Sequence, residues 1–200
     1  MKISGKKWLV AVLVLIFVSG CFRGKLPATT VTEKALSIKL DFHRQSGYAT
    51  NQFAVWITDE NGLLVRTLYA TKFTATGGYK KRPEALPLWV EKSQLASLNK
   101  KTVDTFTGAT PKTGALEYFW DFNDQAGNRV ADGEYNYLIE ANLRWNNRVI
   151  YRGTVTIGET ITVGEAEREY LFATNAEQPA LTEDATEVKM ITAVNVTYLP

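Results

Sequence analysis

The sequence has one cysteine, Cys21, and one histidine, His43. A lone cysteine excludes a disulfide within the chain and any site built of several thiolates. A zinc centre draws on several His, Cys or carboxylate ligands, and none is expected from this set. A histidine-based hydrolase has only His43 to build on, and that residue sits in an alternating stretch that reads as ordinary strand. There is no G-x-S-x-G and no phosphate-cradling glycine loop. Asp121, Asp124 and Asp132 do not follow the spacing of a calcium-binding EF-hand loop. A dominant charge is missing too, with 23 basic against 21 acidic residues. No basic surface follows, so nucleic acid is excluded as an expected partner. The chain also lacks an apolar run of the roughly 20 residues needed to span a bilayer.

The first residues do carry a shorter run. Lys2, Lys6 and Lys7 precede the unbroken apolar stretch Leu9 to Val18, which fits a signal-peptide core. Val18-Ser19-Gly20-Cys21 follows at once. Small residues before the cut let the chain lie extended in a peptidase site, and Cys21 supplies a thiol that can carry lipid. This segment resembles the lipobox of bacterial lipoproteins, with Val18 where leucine is more usual. The resemblance implies a signal peptide over residues 1–20 and a membrane anchor through lipid on Cys21. Phe22 stands where an aspartate often retains lipoproteins at the inner membrane. In a host with two membranes the expected location is therefore the periplasmic face of the outer membrane. Removing residues 1–20 takes away three lysines and no acid, which brings the formal charge to about −1. Residues 21–34, polar with three threonines and a proline, read as the lipidated cysteine and a tether.

From residue 35 to 200 the pattern is that of one β-rich domain. Leu36, Ile38, Leu40 and Phe42 alternate with polar residues, the period of a half-buried strand. Strands are also expected over Phe53–Thr58, Leu63–Tyr69, Leu116–Phe122, Glu134–Trp145 and Arg148–Ile157, and near Tyr170–Thr174 and Val188–Tyr198. Asn61-Gly62 favours a tight hairpin turn. Leu86 to Lys100 is the one expected helix, with Pro87 at its first position. Lys80-Lys81-Arg82 reads as a solvated loop. Short strands separated by turn residues predict an all-β fold, an immunoglobulin-like β-sandwich with one short inserted helix.

Phe119 to Tyr135 contains W-D, a polar turn with Gly127, then Asp132-Gly133-Glu134-Tyr135. It is similar to the immunoglobulin-like domain of flagellar hook-capping proteins, with Trp120 and Tyr135 able to plug a sandwich core. Over residues 36–199 the chain more closely resembles a family of predicted periplasmic proteins, domain of unknown function 2271. There a strand like FAVWITDENGLLVRTLY precedes a tryptophan-bearing helix, a T-G-A-T loop and the W-D…D-G-x-Y hairpin.

That loop is the one motif with chemistry. Asp104-Thr105-Phe106-Thr107-Gly108-Ala109-Thr110 is similar to the D-x-x-[ST]-G-A-[ST] sequence on which a periplasmic FAD:protein FMN transferase acts, although Thr105 stands where many substrates have glycine. The resemblance implies that Thr110 accepts FMN through a phosphoester. Thr107, Gly108 and Ala109 would be the close-approach positions, and Asp104 the upstream acid. Gly108 and Ala109 keep side chains out of another enzyme's cleft, and Pro111 holds Thr110 extended. The implied function is a non-catalytic electron carrier of the cell envelope, with Tyr118, Trp120 and Trp89 as candidates to stack on the flavin. The alternative is a binding or assembly module that meets an envelope protein or a glycan through its loops.

Overall fold

The computed structural model describes residues 34–174 and 180–200. The expected leader, Cys21 and all of the tether but Lys34 lie outside the described residues.

The strands are β1 (Ala35–Phe42), β2 (Gln52–Asp59), β3 (Leu64–Thr71), β4 (Thr107–Gly108), β5 (Gly114–Trp120), β6 (Gly133–Arg144), β7 (Asn147–Ile157), β8 (Thr162–Val163), β9 (Glu167–Leu171) and β10 (Ile191–Leu199). A three-stranded sheet runs β10-β1-β5, antiparallel throughout. A larger sheet runs β4-β3-β2-β6-β7-β8, with β9 also paired to β7. The two form the expected sandwich. Leu36, Ile38, Leu40 and Phe42 point inward from β1, as their alternation predicts, and meet Phe53, Val55 and Ile57 of β2 and Tyr137 and Ile139 of β6. Each such side chain contributes roughly 1.5–3 kcal/mol by leaving water.

β2 does not alternate. Phe53 through Thr58 are all buried, because the outer face of the larger sheet is covered as well. The cover is helical: α1 (Lys72–Ala75), α2 (Pro87–Ser93) and α3 (Lys100–Phe106), with 3-10 turns at Gly78–Lys80 and Leu95–Ser97. Leu86, Trp89, Leu95, Val103 and Phe106 pack on Ala54, Trp56, Ala70 and Leu138 in a second apolar cluster. Pro87 opens α2, as expected. The helix does not run on to Lys100. Gln94 turns left-handed at φ 47° and Leu98 is extended, so the apolar face is rebuilt from short pieces.

One carboxylate fixes this layer to the sheet. Glu140 of β6 is fully buried beneath α2 and accepts from the backbone N–H groups of Trp89 (2.9 Å) and Leu88 (3.4 Å), while Arg148 Nη1 lies 2.5 Å away. Burial pushes its pKa above the ordinary carboxylate value, and the Trp89 N–H and the Arg148 guanidinium pull the other way. Arg82 also serves the layer. It pairs with Glu84 at 2.9 Å and donates to Asn142 Oδ1 at 2.8 Å, so only Lys80 and Lys81 of the basic run are the solvated residues expected.

The W-D…D-G-x-Y stretch closes one end of the sandwich. Trp120 and Tyr135 meet edge-on at 5.3 Å inside the core. Asp121 Oδ1 takes the Arg66 guanidinium at 2.7 Å, and Asp124 Oδ1 accepts from Ala126 N (2.9 Å) and Asn128 N (2.8 Å). These acids hold turns together. At the same end Gly62, at φ 74°, makes the expected turn between β2 and β3.

Candidate functional site

The opposite end carries the motif loop. Asn99 caps α3, its side chain accepting from Thr102 N at 2.9 Å. The helix buries Val103 and Phe106, and Phe106 meets Trp89 edge-on at 6.0 Å. Asp104 and Thr105 are left exposed on its outer side.

Thr107 and Gly108 then leave the helix as β4 and pair in parallel with Ala70 and Thr71 of β3. Gly108 is required here by a close approach. A Cβ on it would lie 2.5 Å from Cε2 of Tyr69. Tyr69 in turn donates its hydroxyl to the Ala109 carbonyl at 2.9 Å. Beyond that bond the chain has no regular structure until β5 opens at Gly114. Ala109 is exposed and Thr110 half-exposed. At the far side of the loop the backbone N–H of Arg44 donates to Thr113 Oγ1 at 3.0 Å.

Residues 109–113 therefore form a connector that leaves the margin of the larger sheet and enters the margin of the smaller one. It is tied down at both ends and irregular between. Among the described residues none hydrogen-bonds to the Thr110 hydroxyl, which lies between the two ties.

The structure sorts the expected site residues. Thr107, Gly108, Ala109 and Thr110 are contiguous on this connector and its strand, whereas Asp104 stands a helical turn back on α3. Of the three aromatic residues expected beside a flavin, only Tyr118 is near the loop, its ring 5.0 Å from that of Tyr69. Trp120 is fully buried, with Nε1 donating to the Asn123 carbonyl at 2.8 Å. Trp89 is fully buried under α2 and donates to Thr67 Oγ1 at 3.1 Å. Neither is free to stack on a group at Thr110. Tyr69 is the residue that sequence reasoning missed. Its signal was Gly108, a glycine with ordinary φ in a strand, which implies that something bulky lies against it. His43 stands just past the end of β1, exposed, with Nε2 3.3 Å from Thr192 Oγ1, and not within the strand as expected.

Burial raises the Tyr69 phenol to about 12, and raises Tyr118 further, with neighbouring Tyr69 adding to the effect. Both phenols are neutral at physiological pH.

A family profile described as predicted periplasmic protein (DUF2271) matches residues 33–170. The chain belongs to the DUF2271 family. The matched stretch contains the whole connector together with Tyr69 and Tyr118, while β10 lies beyond it. Among the described residues of this DUF2271 protein no helix is long and apolar enough to cross a membrane. Among curated proteins and solved structures, none matches it.

Proposed function

We propose that this periplasmic protein is a lipoprotein, held by lipid on Cys21 to the periplasmic face of the outer membrane where the host has two membranes, that carries FMN on Thr110 and passes electrons in the cell envelope. One observation supports this above the others. Thr110 is half-buried in an irregular connector, preceded by Gly108 and Ala109 and with no hydrogen bond to its hydroxyl among the described residues, which leaves it available to another enzyme's cleft. A hydroxyl pinned in a β-ladder would be closed to such an enzyme.

The attachment balances without an oxidant. The Thr110 oxygen attacks the FMN-side phosphorus of FAD and forms a P–O bond. The pyrophosphate P–O bond breaks, AMP leaves, and the hydroxyl proton passes to a base of the transferase, whose metal supplies the Lewis acid. A bound flavin exchanges one or two electrons, and the protein governs its exposure.

The test is the intact mass of the full chain, co-produced with an FAD:protein FMN transferase and purified in detergent beside Thr110→Ala. A gain of one FMN less water, lost in Thr110→Ala, is expected. An unmodified chain, with the transferase active on a known substrate, sinks the reading.

A binding or assembly role draws on a different feature. Tyr48 is 89 % exposed and Trp145 36 % exposed. Their loops are joined by the Trp145 N–H to the Ala49 carbonyl at 2.9 Å. Ala49, Asn51 and Trp145 hold left-handed backbone, a conformation kept where the surroundings impose it. This surface is where a protein or glycan partner is sought if the mass does not change.

A further inference from the structure

Among the described strands, β4 and β5 are the last of their respective sheets at this margin. The gap between them is filled by two rings. Tyr69 of β3 and Tyr118 of β5 lie 5.0 Å apart and tilted by 36°, and both are half-buried. Behind them Phe53 is 4.9 Å from Tyr69 and 6.3 Å from Tyr118, and Phe42 is 5.3 Å from Phe53. The connector that carries Thr110 crosses this same gap, fastened to Tyr69 through the Ala109 carbonyl. A flat aromatic group held near Thr110 meets these two phenols before any other ring of the core.

We infer that Tyr69 and Tyr118 form the seat for the ring system of a flavin joined to Thr110, an inference that rests on Thr110 being the attachment point. The ring pair is backed by Phe53, so it is held in place before anything binds, and aromatic faces favour offset or tilted contact with another flat ring. The connector ties the attachment point to the seat, and a ribityl phosphate arm is long enough to cross a single residue. Neutral phenols add no negative charge to repel the phosphate, and exposed Lys112 follows two residues after Thr110. Seated there, the flavin has one side against protein and its other side open to a partner.

Phenols in contact with a flavin quench its fluorescence, because an electron passes from the phenol to the excited ring and returns. The experiment compares the full chain bearing FMN with Tyr118→Leu and Tyr69→Phe. Intact mass is read first and flavin fluorescence yield second, with circular dichroism confirming the fold. A quenched wild-type flavin that brightens several-fold in Tyr118→Leu, and less in Tyr69→Phe, is expected. If the mass gain is present but the flavin is as bright as free FMN and unchanged in both variants, the seat is wrong while Thr110 attachment stands. If the mass gain is absent, both fail together.

Discussion

Gly108→Ala isolates the contact on which the motif loop is built. Gly108 has ordinary φ, so alanine adds no backbone strain. In a compatible strand that substitution would stabilise by about 0.4–1 kcal/mol, because the unfolded chain loses freedom. Here the new methyl would sit 2.5 Å from Tyr69 Cε2, about 1 Å inside ordinary carbon contact. Tyr69 cannot simply swing aside, since Phe53 and Tyr118 lie 4.9 and 5.0 Å away and its hydroxyl is bonded to Ala109. Overpacking of this kind costs about 1–3 kcal/mol. The net expectation is a loss of about 1–2 kcal/mol, or about 2–8 °C in Tm for a domain of this size. Tyr69→Leu removes Cε2 and Cζ and with them the clash. Adding Gly108→Ala to Tyr69→Leu should therefore be neutral or stabilising, and the double-mutant cycle should show a coupling of about 1–3 kcal/mol. Thermal and urea unfolding of the four proteins measures it. Additive effects, or a Gly108→Ala protein as stable as the wild type, would refute the close-approach argument.

Two further outcomes follow from buried polar groups. Glu140→Leu strips the acceptor from Leu88 and Trp89 N–H and leaves Arg148 unpaired, so a loss of about 2–4 kcal/mol is expected in urea unfolding; the low end reflects an Arg148 side chain that is 20 % exposed. Burial lifts the Tyr69 and Tyr137 phenols from 10.0 to about 12, so the folded state keeps protons that the unfolded state releases. That contribution is whole below pH about 10 and is lost as pH rises toward about 12, so Tm should fall steadily above pH about 10, and a flat profile to pH about 11 would contradict it.

The sandwich was legible because half-buried strands announce themselves by period. Leu36 to Phe42 alternates in sequence and β1 does turn Leu36, Ile38, Leu40 and Phe42 to the core, although Ser37 is buried as well, and Asn61-Gly62 turns where it was expected to turn. The helical layer was less legible for a physical reason. Phe53 to Thr58 is buried on both faces, and such a run shows hydrophobicity without saying what covers its second side. The covering helices run at most seven residues, about two turns, so no long apolar stripe builds up, and Pro87 marked the start while the break at Gln94 went unseen. At the site, the local sequence supplied Thr107 to Thr110. It could not supply Tyr69, since the parallel pairing of Thr71 with Gly108 joins residues 37 positions apart, which only the folded sheet brings together.

The two ends of the sandwich divide the work, and hydrogen bonding shows how. At the Phe119–Tyr135 end several polar groups are already taken up in holding turns: Asp121 holds Arg66, Asp124 holds two backbone N–H groups, Trp120 Nε1 holds Asn123, and the Tyr135 hydroxyl holds Ala131 at 2.8 Å. That end locks the sheets. At the other end the connector is tied at Ala109 and Thr113 and irregular between, and half-buried Thr110 lies between the ties with no hydrogen bond to its hydroxyl among the described residues. A modifying enzyme needs that pairing of access with a fixed approach. A carrier needs it for a second reason: an attached group must reach a partner and return to one place. If Thr110 carries the flavin as proposed, sealing one end and fastening but not structuring the other would meet both needs with a single fold.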